Sequence, residues 1–152
     1  PLWFGNQSAT GQENPVYGTS RALKHLATCA SQMGPIGPIG PMCERAVQWL
    51  LSVQNADGGW GGAASVAPSV EETALAVDAL AAVSTSYSDP PAAVRAACRG
   101  AQWLITRTSR GESLSPSPIG LYFASLWYFE ELYPLVFALC ALHRVSRLAL
   151  PR

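Results

Sequence analysis

Residues 45–60 read RAVQWLLSVQNADGGW, and this stretch decides the fold of the chain. It begins within a helix that we predict from about Cys43 to Gln54, because apolar side chains recur there with helical spacing and form one face: Ala46, Trp49, Leu50 and Val53. The run Asn55-Ala-Asp-Gly-Gly59 is a strong turn signal that ends the helix. RAVQWL at 45–50 recurs as RGAQWL at 99–104, 54 positions later. This recurrence indicates an internal repeat of helix pairs.

The rest of the chain also has helical patterns, and we predict no strand. Further helices are expected at about Ser20 to Ala30, at Val70 to Val83, from Asp89-Pro-Pro91 onward, and from near Gly120. Pro134 should kink or split the last of these. The Gly-Pro stretch from Gly34 to Pro41 is predicted to be a surface loop.

Two of these helices have opposite characters. Val70 to Val83 is apolar almost all round, which is typical of a helix buried on most sides, and Ser69 with Glu72 forms a capping box at its start. The helix after Pro91 has one apolar face: Val94, Ala97, Cys98, Ala101 and Ile105. Alternation of half-buried and enclosed helices is what a double-layered α/α toroid would produce. We therefore predict an all-α fold.

The composition points to a covered surface. The 152 residues include 10 basic and 10 acidic side chains, and charged residues are 13% of the chain, about half of the usual 25%. The 49% hydrophobic content excludes disorder, and zero net charge argues against nucleic-acid binding. The uncharged run Leu132 to Leu142 is too short to span a bilayer. Four widely spaced cysteines are interpreted as buried thiols in a reducing compartment.

The repeat carries the spacing of the QW motif at Arg45, Ala46, Trp49, Leu50, Gln54, Gly58 and Trp60. The Gln54 amide can bridge to the next backbone segment while Trp60 shields those hydrogen bonds from water. The chain resembles the C-terminal part of squalene-hopene cyclases and related class II triterpene cyclases. The resemblance rests on four segments in the family's order: Trp3-Phe-Gly5 with Tyr17-Gly-Thr19, Arg45 to Trp60, Thr73 to Ala76, and Pro118 to Pro134.

The resemblance implies a C-terminal segment of an α/α toroid, at residues 1–152, with the rest of the toroid upstream. Such enzymes cyclise squalene or a similar linear polyisoprenoid through carbocations, and need no metal or organic cofactor. Their Asp-x-Asp-Asp acid motif is absent here, so the fragment alone should be inactive. The resemblance also implies a monotopic protein at the cytoplasmic face of a bacterial membrane, which is not secreted and belongs to hopanoid synthesis. A homodimer is a further hypothesis.

The resemblance assigns candidate site residues. Tyr122, Leu126 and Phe129 would line the substrate cavity, and Tyr17 would help to re-protonate the catalytic acid. With Tyr133, the first three form one stripe at helical spacing, for which a packed core is the alternative interpretation. An amphipathic tyrosine at a helix entrance is the alternative for Tyr17. Leu126 replaces a family tyrosine, and Gln7 stands where the family has a tryptophan.

Two rival functions remain open. A non-catalytic toroid that binds a lipid or a protein partner would tolerate the departures at Gln7 and Leu126. A zinc site like that of prenyltransferase β-subunits would need Asp78, Cys98 and His143 to converge, although the local ligand spacing is missing. Asp78 on a buried helix is either an acid of raised pKa with a catalytic role, or an aspartate whose charge is satisfied by partners or reaches solvent.

Overall fold

The computed structural model describes residues 5–33, 39–83, 90–121 and 126–148. The helices are α1 (Pro15–Met33), α2 (Ile39–Ser52), α3 (Val70–Val83), α4 (Pro90–Arg107) and α5 (Leu132–Ser146). An antiparallel hairpin of β1 (Pro118–Leu121) and β2 (Leu126–Phe129) lies between α4 and α5. Short 3-10 turns occupy Thr10–Gln12 and Ser109–Gly111. The all-α class is confirmed, with this small hairpin added to it.

Helix α3 is the centre of the fold. Helices α1, α4 and α5 all pack against it, and every residue of α3 except Ala82 is buried. Its apolar side chains are mostly small, which lets three neighbouring helices approach closely while the interior stays densely packed. The predicted boundaries and all-round burial of this helix are therefore confirmed.

The outer helices differ in detail from the prediction. Helix α1 begins five residues earlier than expected, and α2 extends from Ile39 to Ser52. The buried residues of α2 are Cys43, Val47 and Leu50, while α4 buries Ala93, Ala96, Ala97, Ala101 and Leu104. The predicted faces are thus rotated, and Ile105 is exposed. Sequence periodicity places apolar positions on a helix, but the neighbours decide which side is covered most completely.

The predicted fifth helix from near Gly120 is wrong. In its first part, Gly120 pairs with Trp127 and Leu121 with Leu126 across the hairpin. Aromatic residues fit a pleated surface well, and this tendency competes with their helical spacing. Helix α5 begins only at Leu132, so Pro134 lies in its first turn. Because N–H groups there have no partner within the helix, proline is tolerated at this place.

The cysteines are only partly as predicted. All four are free thiols, but Cys43 is the buried one, Cys98 is half-buried, and Cys29 and Cys140 are exposed.

Within the described residues, no helix is both long and apolar enough to cross a bilayer.

Candidate functional site

A narrow pocket lies where the first turns of α1, α3 and α5 meet the segment that enters β1. Its volume of about 20 Å³ has room for one water molecule. The lining residues are Gly5, Asn14, Tyr17, Glu71, Glu72, Leu75, Ser117, Pro118, Tyr133 and Phe137. Segments far apart in the sequence therefore converge here.

Tyr17 lies in the first turn of α1 and lines this pocket. Its backbone N–H donates to Asn14 Oδ1 at 3.0 Å, so that asparagine caps the helix. Burial raises the pKa of the Tyr17 phenol, Arg21 opposes this effect, and Tyr133 and Tyr128 add to it. The hydroxyl therefore keeps its proton at neutral pH and can act as a hydrogen-bond donor.

Glu72 ties the chain before α1 to the start of α3. Its Oε1 accepts hydrogen bonds from Asn6 Nδ2 at 3.0 Å and Asn14 Nδ2 at 2.9 Å. The Ser69 hydroxyl does accept the Glu72 N–H at 3.1 Å, which is half of the predicted capping box. The reciprocal half is wrong, because the Ser69 N–H donates to the Trp60 carbonyl.

Glu71 ties a second segment of the chain to the start of α3. Its Oε1 accepts the Ser117 N–H at 2.7 Å, which holds the segment before β1 against α3. Asn6, Asn14 and Ser117 were not assigned to a site from the sequence. The one available signal was the presence of two adjacent acids on an otherwise apolar helix.

The predicted aromatic stripe is not formed. Leu126 and Phe129 lie on β2 and are 62% and 64% exposed, and Tyr122 lies outside the described residues. Successive side chains of a strand point to opposite faces of the sheet. Leu126 and Phe129 are three positions apart, so their side chains lie on opposite faces. Of the stripe, Tyr133 lines the pocket. Its ring stacks on Phe137 with a centroid separation of 5.2 Å. The structure thus brings Tyr17 together with Tyr133, but not with Leu126 or Phe129.

Gln54 joins the two copies of the repeat. Its Nε2 donates to the carbonyls of Gly58 at 2.8 Å and Ala96 at 3.1 Å, and its Oε1 accepts a hydrogen bond from Arg99. Gly58 has φ +96°, a conformation that favours glycine. Helix α4 is thereby attached to the turn that follows α2.

Trp60 fills the centre of the same junction and is fully buried. Its indole N–H donates to the Leu50 carbonyl at 2.8 Å, and its backbone N–H donates to Thr73 Oγ1 at 2.9 Å. A methyl group on Gly100 would lie only 2.7 Å from the Trp60 ring, so close packing requires glycine there. Trp49 is half-buried against the core.

Asp78 is a paired aspartate in the core, although the sequence left a catalytic role open. Its Oδ2 lies 2.6 Å from Lys24 Nζ, and its Oδ1 lies 2.5 Å from Arg144 Nε. His143 is exposed. In the described part of the chain, no three histidine, cysteine, aspartate or glutamate residues converge as a metal site would need.

Comparison with known families decides the assignment. The profile of the squalene-hopene cyclase C-terminal domain matches residues 2–147. The chain belongs to this family. The pocket therefore lies in a squalene-hopene cyclase C-terminal domain, and the family predicted from the sequence is confirmed.

Two curated proteins are similar to this domain. The squalene-hopene cyclase of Bradyrhizobium diazoefficiens is 34% identical over 121 residues, which are 72% of this chain and 16% of that protein. Enfumafungin synthase of Hormonema carpetanum is 29% identical over 131 residues, which are 82% of this chain and 9% of that protein. The chain thus spans a small part of the length of either relative. No solved structure matches it.

The buried carboxyl of Glu72 should make the stability of this cyclase domain depend on pH. Burial raises its pKa above the ordinary value of 4.5, and Glu71 adds to the rise, while Asn6 and Asn14 oppose it. The folded state then binds more protons than the unfolded state above about pH 4.5. The stability that Glu72 contributes is full below this pH and is lost as the pH rises through its folded pKa.

We expect urea unfolding at a series of pH values to show this loss in the wild type, and a smaller loss in Glu72→Gln. The exposed Glu44→Gln is the matched control, and should follow the wild type because that side chain is exposed. Parallel curves for the wild type and Glu72→Gln would contradict the assignment.

Proposed function

We propose that this domain forms the C-terminal part of a triterpene cyclase that cyclises squalene or a related linear polyisoprenoid. The reaction would begin with protonation of the substrate and continue through a series of carbocations. The membership of the family carries the proposal, since the matched region covers residues 2–147. One relative is named for squalene and hopene, and the other for enfumafungin. Because the two names differ in product, family membership supports the cyclase class, and the choice of squalene as substrate is proposed in addition.

The convergence of the resemblance segments supports a site at the pocket. Gly5, Tyr17, Pro118 and Tyr133 come from different parts of the chain and line one cavity. A protonated phenol at Tyr17 can return a proton to an acid supplied by another part of the protein. The face of an aromatic ring stabilises a desolvated cation by about 2 kcal/mol. We propose this role for Tyr122 and for Phe129, whose exposed ring would have to be covered by the upstream part of the toroid.

An exposed apolar surface supports a toroid that continues beyond the described helices. On β2 and α5, seven large side chains are exposed to solvent: Leu126, Tyr128, Phe129, Leu132, Leu135, Val136 and Leu139. A surface of this kind marks contact with protein, membrane or an apolar ligand. We propose that the upstream part of the toroid and the polyisoprenoid cover it, and that the whole protein lies at a membrane surface.

The direct test is expression of the full-length protein with squalene, followed by gas chromatography–mass spectrometry of the products. We expect a cyclised triterpene. A well-folded preparation that leaves squalene and related polyisoprenes unchanged would favour the non-catalytic module instead. That alternative is supported by Leu126 and Gln7, which depart from the family's aromatic pattern.

The Tyr17→Phe variant tests the proton transfer separately. Loss of the hydroxyl should lower the turnover number about 10²-fold, with unchanged thermal stability, because the ring remains in place. Thr106→Val is the control, since it removes a hydroxyl from an exposed residue of α4 with little change of shape and should retain wild-type turnover. Equal turnover of Tyr17→Phe and wild type would exclude Tyr17 from proton transfer.

A further inference from the structure

Two acids stand side by side in the core at the start of α3. Glu71 and Glu72 are each only 5% exposed, and both line the pocket beside Tyr17. One oxygen of each is bonded, to Ser117 in one case and to Asn6 and Asn14 in the other. Among the described residues, neither Glu71 Oε2 nor Glu72 Oε2 has a hydrogen-bond partner, although both atoms are buried.

No basic side chain of the described structure lines this pocket to neutralise the two acids. The other titratable groups that face it are the phenols of Tyr17 on α1 and Tyr133 on α5. On α1, Arg21 acts on Tyr17. At the end of α4, the exposed Arg107 lines a neighbouring pocket with Ser117. Further along α1 and α5, the cations Lys24 and Arg144 are already paired with Asp78.

Two adjacent carboxylates in such a place are unfavourable when both are ionised. Burial disfavours each charge, and the second charge is disfavoured further by the first. A single proton removes one charge and provides an O–H donor in a place where two buried oxygens need donors. The pocket that both acids line has a volume of about 20 Å³, which matches one water molecule.

We propose that Glu71 and Glu72 form a proton-binding site that holds one proton and one water molecule at neutral pH. The proton comes from solvent and forms an O–H bond on one of the two free carboxyl oxygens, leaving the pair with one negative charge. Because the two carboxyls are adjacent and each disfavours the other's charge, the proton belongs to the site and not to one residue. The amides of Asn6 and Asn14 stabilise the charge that remains.

This site goes beyond the proposed cyclase activity, because it depends only on the burial and hydrogen bonding of α3. Asn14 bonds both the Glu72 carboxyl and the Tyr17 N–H, so a stored proton would lie next to the residue proposed to transfer protons. Its role in turnover rests on the proposed function, whereas the presence of the proton does not. Infrared spectroscopy detects the proton directly and needs no substrate.

Infrared spectroscopy of the purified chain distinguishes a protonated carboxylic acid from a carboxylate by its carbonyl stretch. We expect the wild type to show a protonated acid at neutral pH, which is lost only in alkaline buffer. Because the acids are coupled, Glu71→Gln and Glu72→Gln should each lower the pH of this loss by about one unit or more. Glutamine keeps a carbonyl for the Ser117 or asparagine donors. Glu44→Gln, at an exposed position, should leave the band unchanged.

Several results would overturn the proposal. One is the absence of a protonated acid in the wild type at neutral pH, which needs no variant to establish. Another is a band that neither Glu71→Gln nor Glu72→Gln alters. A band that disappears when Mg²⁺ or Ca²⁺ is added at neutral pH would show that the two acids bind a cation instead of a proton.

Discussion

Replacement of Trp60 with alanine is expected to lower the free energy of unfolding by about 3–5 kcal/mol. The side chain is fully buried between the two copies of the repeat, so its removal leaves a cavity. The substitution also leaves the Leu50 carbonyl without the indole donor that lies 2.8 Å away. That carbonyl belongs to the last turn of α2, where helix carbonyls lack partners within the helix. Urea denaturation of the wild type and the variant measures the difference.

Two further variants separate packing from hydrogen bonding at this position. Trp60→Phe keeps an aromatic ring but loses the indole N–H, and should cost about 1–3 kcal/mol. Gln48→Ala changes an exposed residue of α2 and should stay within about 0.5 kcal/mol of the wild type. A Trp60→Ala variant as stable as the Gln48→Ala control would show that Trp60 does not hold the junction together.

The double substitution Lys24→Met and Arg144→Met is expected to destabilise the protein by about 3–5 kcal/mol. Both cations contact the carboxylate of Asp78, whose side chain is only 6% exposed. Without them, a buried negative charge has lost its two ionic partners. Methionine keeps an apolar stem of similar length, so the packing of that stem against α3 is largely preserved.

Each single substitution should destabilise the protein by only about 1 kcal/mol, because the other cation still pairs with Asp78. Both cations are also partly exposed, Lys24 to 26% and Arg144 to 40%. Addition of Asp78→Leu to the double variant should restore most of the stability, since it removes the buried carboxylate that has lost its ionic partners. Thermal melting of the set measures the coupling. Additive, small losses in the double variant would contradict a structural role for this ion-pair cluster.

Helix α3 and the junction before it were predictable because their signals are local, although the bounds of α1 and α2 were not. The apolar character of α3 predicted its boundaries and its burial, and the turn Asn55 to Gly59 does follow α2. The spacing of Gln54 and Trp60 also indicated two residues that act together, and both bond at the junction between the repeats. Each of these features depends on the chemistry of residues within about one turn or one loop.

The second half was less predictable because two local tendencies compete there. The aromatic run around Leu126 to Tyr133 satisfies a helical spacing, but it also has strand propensity. In the structure, β1 pairs with the first part of this run and leaves α5 to begin at Leu132. Because β1 is the partner that decides between these states, the periodicity of the run alone could not choose the correct one.

What the sequence by itself determined is the family, the helical class and the central buried helix, since these depend on composition, periodicity and motif spacing. Only the tertiary structure decided the roles of the acids on α3. Asp78 accepts a hydrogen bond from Arg144, which is 66 positions away in the chain, and Glu71 accepts one from Ser117, which is 46 positions away. Glu72 is held by Asn6 and Asn14 instead of closing its own capping box. The partners of a buried charge are set by how the helices pack, and they lie too far away along the chain for a local sequence pattern to indicate them.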